Sequence, residues 1–538
     1  VRWWGWGEDG HDVALPEPAL ALLGEELGLD PAARQAPVAR EDVRLPASRL
    51  DRAVRERLAG VVGEQHLRDD REARVGHAAG RSYPDLVRLR TGALDGAPDA
   101  VLEPGSAEEV RALLAACAQA RVAVVPFGGG TSVVGGVDPV AGGCAAVVTL
   151  DLRRLDRLAG VDRTSLTATL GAGLFGPEAE RRLAAEGLTL GHFPQSFEYS
   201  TVGGWVATRS AGQASTGYGR IDELVEGLRL VAPAAELSCR PVPATAAGPD
   251  LRQLLVGSEG VLGVICEATL RVRPLPAVRR YEGWSFRSFA EGCEAFRVME
   301  QAGASPDVAR LSDEEETRLS LALASRGGAG ERVGRAYLRL RGRAGGCIAI
   351  VGFEGDEDDV ERRRVRAGAL LRAGGGLTLG RRPGEAWSRG RYAGPYVRDA
   401  LLDRGVFVET VETAGSWSGL AGLYAAVTGA LRRSLSERGT PPLVMCHVSH
   451  LYRSGASLYF TFLARQDERP LEQWRAAKSA ACDAIVAAGG TITHHHAVGR
   501  DHVPWMPAEV GEAGLDLIRA VKERLDPAGI MNPGKLLP

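Results

Sequence analysis

The stretch Pro126-Phe-Gly-Gly-Gly-Thr-Ser132, continued by Val-Val-Gly-Gly136, constrains this chain more than any other. It lies between two short apolar runs, Val122 to Pro126 and Ala145 to Leu150, which have the length and β-branched content of buried strands. Consecutive glycines at such a place let successive backbone N–H groups converge on an anion, and the missing Cβ atoms let a pyrophosphate approach closely. Taken alone, the segment also reads as a glycine-rich turn. It is not a Rossmann fingerprint, because the G-x-G-x-x-G spacing is missing.

Two more segments share this texture. Gln195-Ser-Phe-Glu-Tyr-Ser-Thr201-Val-Gly-Gly-Trp-Val-Ala-Thr208-Arg-Ser-Ala-Gly212 mixes small and hydroxylated residues with glycines, and Val256-Gly-Ser-Glu-Gly-Val-Leu-Gly-Val-Ile265 is a glycine-punctuated turn entering a strand. Each could be a turn; their shared order and spacing are hard to explain that way. Together they resemble the p-cresol methylhydroxylase-type FAD-binding domain of the vanillyl-alcohol-oxidase group. The resemblance implies that Pro126, Phe127, Gly128, Gly129, Gly130, Thr131 and Ser132 cradle the pyrophosphate. It implies further FAD contacts from Gln195, Ser196, Phe197, Glu198, Tyr199, Ser200 and Thr201, and from Thr208, Arg209, Ser210 and Ala211. The third set is Glu259, Gly260, Val261, Leu262, Gly263, Val264 and Ile265. None of these segments has the His or Cys arrangement of covalently flavinylated relatives, so non-covalent FAD is expected.

At 538 residues the chain is long enough for two or three domains. The patterning gives an α+β protein: an N-terminal helical region over 1–95, the FAD-binding domain over 96–276, a cap or substrate domain over 277–500, and a segment over 501–538 that packs back on the FAD domain. Helical patterns run over Glu17 to Leu29, Ser48 to Leu58 and Ala513 to Leu525, and Ser106 with Glu109 reads as a helix start. Further strands are expected at Leu166 to Leu170, Leu228 to Ala232, Gly263 to Val272, Ala349 to Phe353 and Leu458 to Leu463. A net charge of -3 and the lack of basic runs interleaved with aromatics argue against nucleic acid. Only Lys478, Lys522 and Lys535 are lysines, so a single Arg is weak evidence in this chain. The eight scattered cysteines read as reduced thiols. With no apolar signal core and no membrane-length run, a cytoplasmic enzyme is expected.

Near the C-terminus, Gly489-Gly-Thr-Ile-Thr-His494-His495-His496 holds three consecutive histidines. Read on residues alone, they are a metal site or a chance run on a solvated loop; neighbours in sequence diverge in direction, and no Asp, Glu or Cys is paired with them, so no metal is expected. Tyr459 reads as core packing by alternation, and Arg310 and Arg398 as solvated charges. Gly529 to Lys535 matches G-x-x-x-x-G-K, but Leu536 stands where Ser or Thr is required, so it is not a Walker loop.

The triple-His loop, the Tyr459-Phe-Thr-Phe strand, Ala309-Arg310-Leu-Ser-Asp, Tyr396-Val-Arg398-Asp and the Trp-Gly-Trp-Gly start resemble the alkyldihydroxyacetonephosphate synthase family. Asn532-Pro-Gly-Lys535 resembles FAD-dependent 2-hydroxy-acid dehydrogenases at least as well, and those enzymes are the alternative reading. The former resemblance implies redox-neutral exchange of the acyl group of acyl-dihydroxyacetone phosphate for a long-chain alcohol, with oxidised FAD as an electron sink. Tyr459 would be the acid/base, with its high pKa lowered, or its proton relayed, by neighbouring His and Arg. His494, His495 and His496 would help hold the phosphate, Arg398 would engage the acyl carboxylate, and Arg310 would order the site. A homodimer, and membrane contact through Arg362 to Arg382, are further expectations.

Overall fold

Four sheets organise the computed structural model, which describes residues 2–30, 33–94, 96–325 and 328–538. Of the N-terminal region, Val1, Pro31, Ala32 and Asp95 lie outside the described residues. The first sheet aligns Leu67–Arg68, Ala100–Leu102, Ala146–Asp151 and Val122–Phe127, the last three mutually parallel. Parallel strands are buried on both faces, which is why Val122–Phe127 and Ala146–Asp151 read as continuous apolar runs. Helix Ala107–Ala120 packs on this sheet; its N-cap Ser106 accepts from the Glu109 N–H at 3.1 Å. The Glu109 carboxylate reaches back to the Gly105 N–H at 2.7 Å, one residue before the usual capping-box partner.

The second sheet is antiparallel, in the order Leu158–Asp162, Thr167–Gly171, Val264–Arg271, Val225–Val231 and Glu236–Cys239. The C-terminal helix starts at Met506, earlier than its periodicity suggests, and is broken at Gly511, where φ is +72°. Helix Arg52–Val62 begins later than expected because the Asp51 side chain caps it, accepting from the Ala53 and Val54 N–H groups. No two of the eight cysteines are paired. No helix among the described residues is long and apolar enough to cross a membrane.

A seven-stranded antiparallel sheet positions the chemistry. Its order is Leu377–Gly380, Val278–Phe286, Cys347–Gly355, Val308–Ser312, Leu443–Tyr452, Gly455–Arg465 and Val406–Ser416. Helices Phe289–Gln301, Glu357–Ala373, Leu420–Glu437 and Pro470–Ala487 cover one face and build the largest core with Leu311, Val411, Cys446, Val448, Leu458 and Phe460. Strand side chains alternate faces, so the residues between these point the other way. Those residues are Arg310, Glu412, His447 and Tyr459. The stretch Arg362 to Arg382 covers most of helix Glu357–Ala373, the edge strand Leu377–Gly380 and the start of helix Arg381–Gly390. Ala367, Gly368 and Leu371 of the first helix are buried and pack into the core.

Candidate active site

The three glycine-rich segments converge on one cleft. Gly128, Ser132, Gly136, Thr201, Gly203, Gly204, Thr208, Gly260 and Gly263 line it, with Pro126, Phe127, Glu259 and Ile265, around about 670 Å³ of atom-free space partly open to solvent. So much wall made of bare backbone suits an elongated cofactor that needs close main-chain approach. Packing is tight behind the loop: a Cβ on Gly129 would sit 1.7 Å from the Tyr199 carbonyl oxygen, and one on Gly128 would sit 2.2 Å from Thr201 Oγ1. The residues present therefore fit a dinucleotide-sized cofactor with a pyrophosphate.

Other side chains from these segments are occupied elsewhere. Phe197 stacks on Trp205 within the core; Arg209 bonds Asp222 and the Val256 and Gln253 carbonyls; Gln195 donates to the Arg391 carbonyl. Val261, Leu262 and Val264 are core residues. Glu198 and Tyr199 meet Tyr396, Ser200 accepts from the Trp205 indole, and Ser210 bonds His192. Together with Gly130, Thr131, Ser196 and Ala211, these residues belong to the segments that build the cleft but are not part of its lining. Segment Ile530–Lys535 closes the cradle from behind. Met531 runs parallel to Val124, the Asn532 amide donates to the Gly136 and Glu259 carbonyls, and the Lys535 ammonium donates to the Asp138 carbonyl.

On the seven-stranded sheet, His447, Tyr459 and Glu412 are direct cross-strand partners on adjacent strands. The Tyr459 ring stacks on His447 at 4.9 Å and on His495 at 5.8 Å, with His496 edge-on at 5.4 Å. Arg310 donates to His447 Nε2 at 3.0 Å and to Glu316 at 2.7 Å, and His447 Nδ1 lies 3.0 Å from the same Glu316 oxygen. Burial opposes the Glu316 charge, yet Arg310 and His447 hold its pKa down at about 2. Arg310 thus braces the imidazole that stacks on Tyr459. The phenol does not follow expectation: burial pushes its pKa up to about 12, against the opposing pull of the Thr410 hydroxyl and the Arg398 charge. It rests protonated.

Glu412 organises the triple-His loop. Only 1% exposed, its carboxylate accepts from the His494, His495 and His496 N–H groups at 2.5, 3.1 and 2.8 Å and from the Thr493 hydroxyl at 2.6 Å. Burial works against this charge, but the surrounding imidazoles, as they take up protons in acid, and the Thr493 hydroxyl keep its pKa well below the ordinary range. Glu259 holds the other end of the loop, accepting from Val498 and Gly499 N–H at 2.9 and 2.7 Å. Burial drives the histidines down in turn, His496 to about 3, although Glu412 pulls the other way. The imidazoles are therefore neutral near pH 7. Nitrogens of His450, His494 and His495 lie within 4.8 Å of one another, and no carboxylate among the described residues completes that group as a ligand set.

Arg398, on helix Gly394–Leu402, gives one donor to the Arg81 carbonyl at 2.7 Å, while its buried Nε and Nη2 have no partner. The Trp-Gly-Trp-Gly start fixes this helix: Trp6 N–H donates to Asp399 at 2.5 Å, and Gly5 and Gly7 pack where a Cβ would strike Asp399 and Tyr396. A buried guanidinium fork with two free donors is built to receive an anion.

Comparison with known proteins agrees with this geometry. The FAD binding domain family matches residues 98–238, and the family described as FAD linked oxidases, C-terminal domain, matches 275–536. The alkyldihydroxyacetonephosphate synthase of Dictyostelium discoideum is 36% identical over 92% of this chain and 82% of its own length; that of Trypanosoma brucei brucei gives the same figures. The chain belongs to the alkyldihydroxyacetonephosphate synthase family. A solved alkyldihydroxyacetonephosphate synthase superposes with a TM-score of 0.87 at 31% identity, covering 100% of this chain and 99% of that one. p-Cresol methylhydroxylase, at 14% identity and a TM-score of 0.66 over 93% of this chain and 98% of its own, shares the fold. As a member of the synthase family the chain is a flavoenzyme with FAD as its cofactor. Sequence reasoning singled out Tyr459, the histidines and the two arginines as candidates, and did not single out Glu412, Glu316 or the bracing part of His447. The available signal for Glu412 was its place, with Glu409, as a carboxylate inside a strand whose central residues are otherwise Val, Phe and Thr.

Proposed function

We propose that this flavoenzyme exchanges the acyl group of acyl-dihydroxyacetone phosphate for a long-chain alcohol, forming the ether bond of an ether-lipid precursor without net redox change. The observation that carries the reading is the Tyr459 phenol, stacked between His447 and His495 with the unpaired fork of Arg398 within electrostatic reach. Bound FAD supplies an electron sink for the substrate carbon. Tyr459 moves the proton at the carbon bearing the acyloxy group. Because its phenol rests protonated, His495 and His496 relay that proton, their neutral imidazoles being able both to accept and to donate. Arg398 receives the departing carboxylate on Nε and Nη2, and Arg310 keeps His447 flat against the phenol. FAD is held without a covalent link.

Anaerobic addition of acyl-dihydroxyacetone phosphate should perturb the flavin spectrum with no external acceptor, and a fatty alcohol should restore it and yield an ether lipid. Stoichiometric flavin reduction by a 2-hydroxy acid, reversed only by an electron acceptor, would overturn the proposal in favour of a dehydrogenase. Lipid substrates also call for peripheral membrane contact. We assign it to helix Ala329–Leu340, which exposes Val333, Tyr337 and Leu340 along one face. A homodimer completes the reading, testable by light scattering.

A further inference from the structure

We infer that Arg220, His450, His494 and Tyr452 form the pocket for the phosphomonoester of the substrate, at the end of the histidine array remote from Arg310. This rests on the function proposed above and adds Arg220, His450 and Tyr452, which carry no role in it, to His494, which the family resemblance already ties to the phosphate.

His450 lies two residues before the end of strand Leu443–Tyr452 and is 4% exposed, and its Nδ1 has no hydrogen-bond partner. Its ring stacks on His494 at 5.0 Å, and His494 Nε2 lies 2.6 Å from the Tyr452 hydroxyl. The FAD-domain side closes over this end: Leu451 N–H donates to Thr216 Oγ1 at 3.3 Å, and Arg220 follows on the same stretch. Arg220 is fixed by Asp222 at 3.1 Å and by the Arg209 carbonyl at 3.2 Å. Its guanidinium meets the Tyr452 hydroxyl, and its charge pushes His450, His494 and His495 toward the neutral state, as burial does.

Converging imidazoles suit a cation or an anion, and the neighbours decide between them. Arg220 sets a fixed positive charge beside the cluster, which repels a divalent cation. The nearby carboxylate, Glu412, is committed to backbone N–H groups. A phosphate dianion, by contrast, finds a guanidinium, a phenol hydroxyl and imidazole N–H groups, and its own charge favours protonating the imidazoles.

The test uses FAD-loaded enzyme, with inorganic phosphate as the calorimetric probe. Wild type should bind phosphate in competition with acyl-dihydroxyacetone phosphate. Arg220→Gln should weaken phosphate binding about 30-fold or more, the scale of charge-assisted hydrogen bonds lost from a buried site, and Arg220→Lys should recover part of it. The kcat/KM preference for acyl-dihydroxyacetone phosphate over acyl-dihydroxyacetone should fall by a similar factor in Arg220→Gln. An unchanged preference, or undiminished phosphate binding in an FAD-loaded variant, overturns the inference. So does uptake of Co²⁺ or Zn²⁺ by wild type that His450→Gln abolishes while phosphate fails to bind. If wild type binds phosphate through Arg220 yet never turns over acyl-dihydroxyacetone phosphate, the pocket stands and the proposed reaction falls.

Discussion

Replacing Glu412 with Gln keeps the side chain's shape but removes its charge and turns one acceptor oxygen into a donor. Oε1 accepts from Thr493, His495 and His496, and Oε2 accepts from His494 N–H alone. With the amide oxygen in the Oε1 position, one buried N–H loses its partner and faces an NH₂, at about 1–3 kcal/mol. The other three bonds lose their charge assistance, at roughly 0.5 kcal/mol or more each. The total, about 3–5 kcal/mol, is large for a loop to absorb in place. The loop should shift and carry His495 and His496 out of register with Tyr459. Near 1.36 kcal/mol per decade, loss of about half that energy from the transition state lowers kcat about 30-fold. FAD content should be unchanged, and the thermal midpoint should fall by only a few degrees in so large a protein. The assay is ether formation across pH, with flavin content and unfolding measured on the same samples. A Glu412→Gln enzyme that keeps more than about a third of wild-type kcat with an unchanged pH profile would refute the reasoning.

Tyr459→Phe should retain FAD and lose about 10²–10⁴-fold in ether synthesis, and a residual rate above about a tenth would assign Tyr459 to packing. Gly129→Ala should yield protein with far less bound flavin, read as flavin absorbance per polypeptide, because its Cβ would meet the Tyr199 carbonyl at 1.7 Å. Denaturing the wild-type enzyme should release intact FAD into the supernatant; flavin left on the precipitate would mean a covalent link. His192 is fully buried, and burial holds its pKa down at about 3, so it takes up a proton on unfolding once the pH drops below about 6.5. Its contribution is therefore present at pH 7 and lost on acidification, and His192→Asn should gain about 2 kcal/mol relative to wild type between pH 7 and 5 in denaturant unfolding.

What the sequence disclosed, it disclosed through local pattern. The flavin loops announced themselves because glycines are needed where backbone must approach a ligand, whereas alternation in Leu458 to Leu463 made Tyr459 look like core, and only the family resemblance marked it as a site residue. Glu412 was hidden because its meaning lies in register: it faces Tyr459 across one strand pair and catches a loop some eighty residues further on. Glu316 and Arg220 were hidden in the same way, each looking like one more solvated charge in an arginine-rich chain. The raised pKa of Tyr459 depends on burial, which residue type does not encode. Element ends slipped where a cap such as Asp51 or a glycine such as Gly511 overrode periodicity.

The segment Ile530–Lys535 lies beside Val124, Gly136, Asp138 and Glu259, residues far away along the chain. Contacts of such long range form late, since a large loop must close before they return any energy. The cradle for the cofactor is therefore finished near the end of folding, after both large sheets can already have formed. A nascent chain would carry a nearly complete scaffold that cannot yet retain flavin, so flavin loading can serve as a time stamp for completed folding. In a refolding experiment, recovery of flavin fluorescence quenching should lag behind recovery of strand content, and adding FAD early should not shorten the lag.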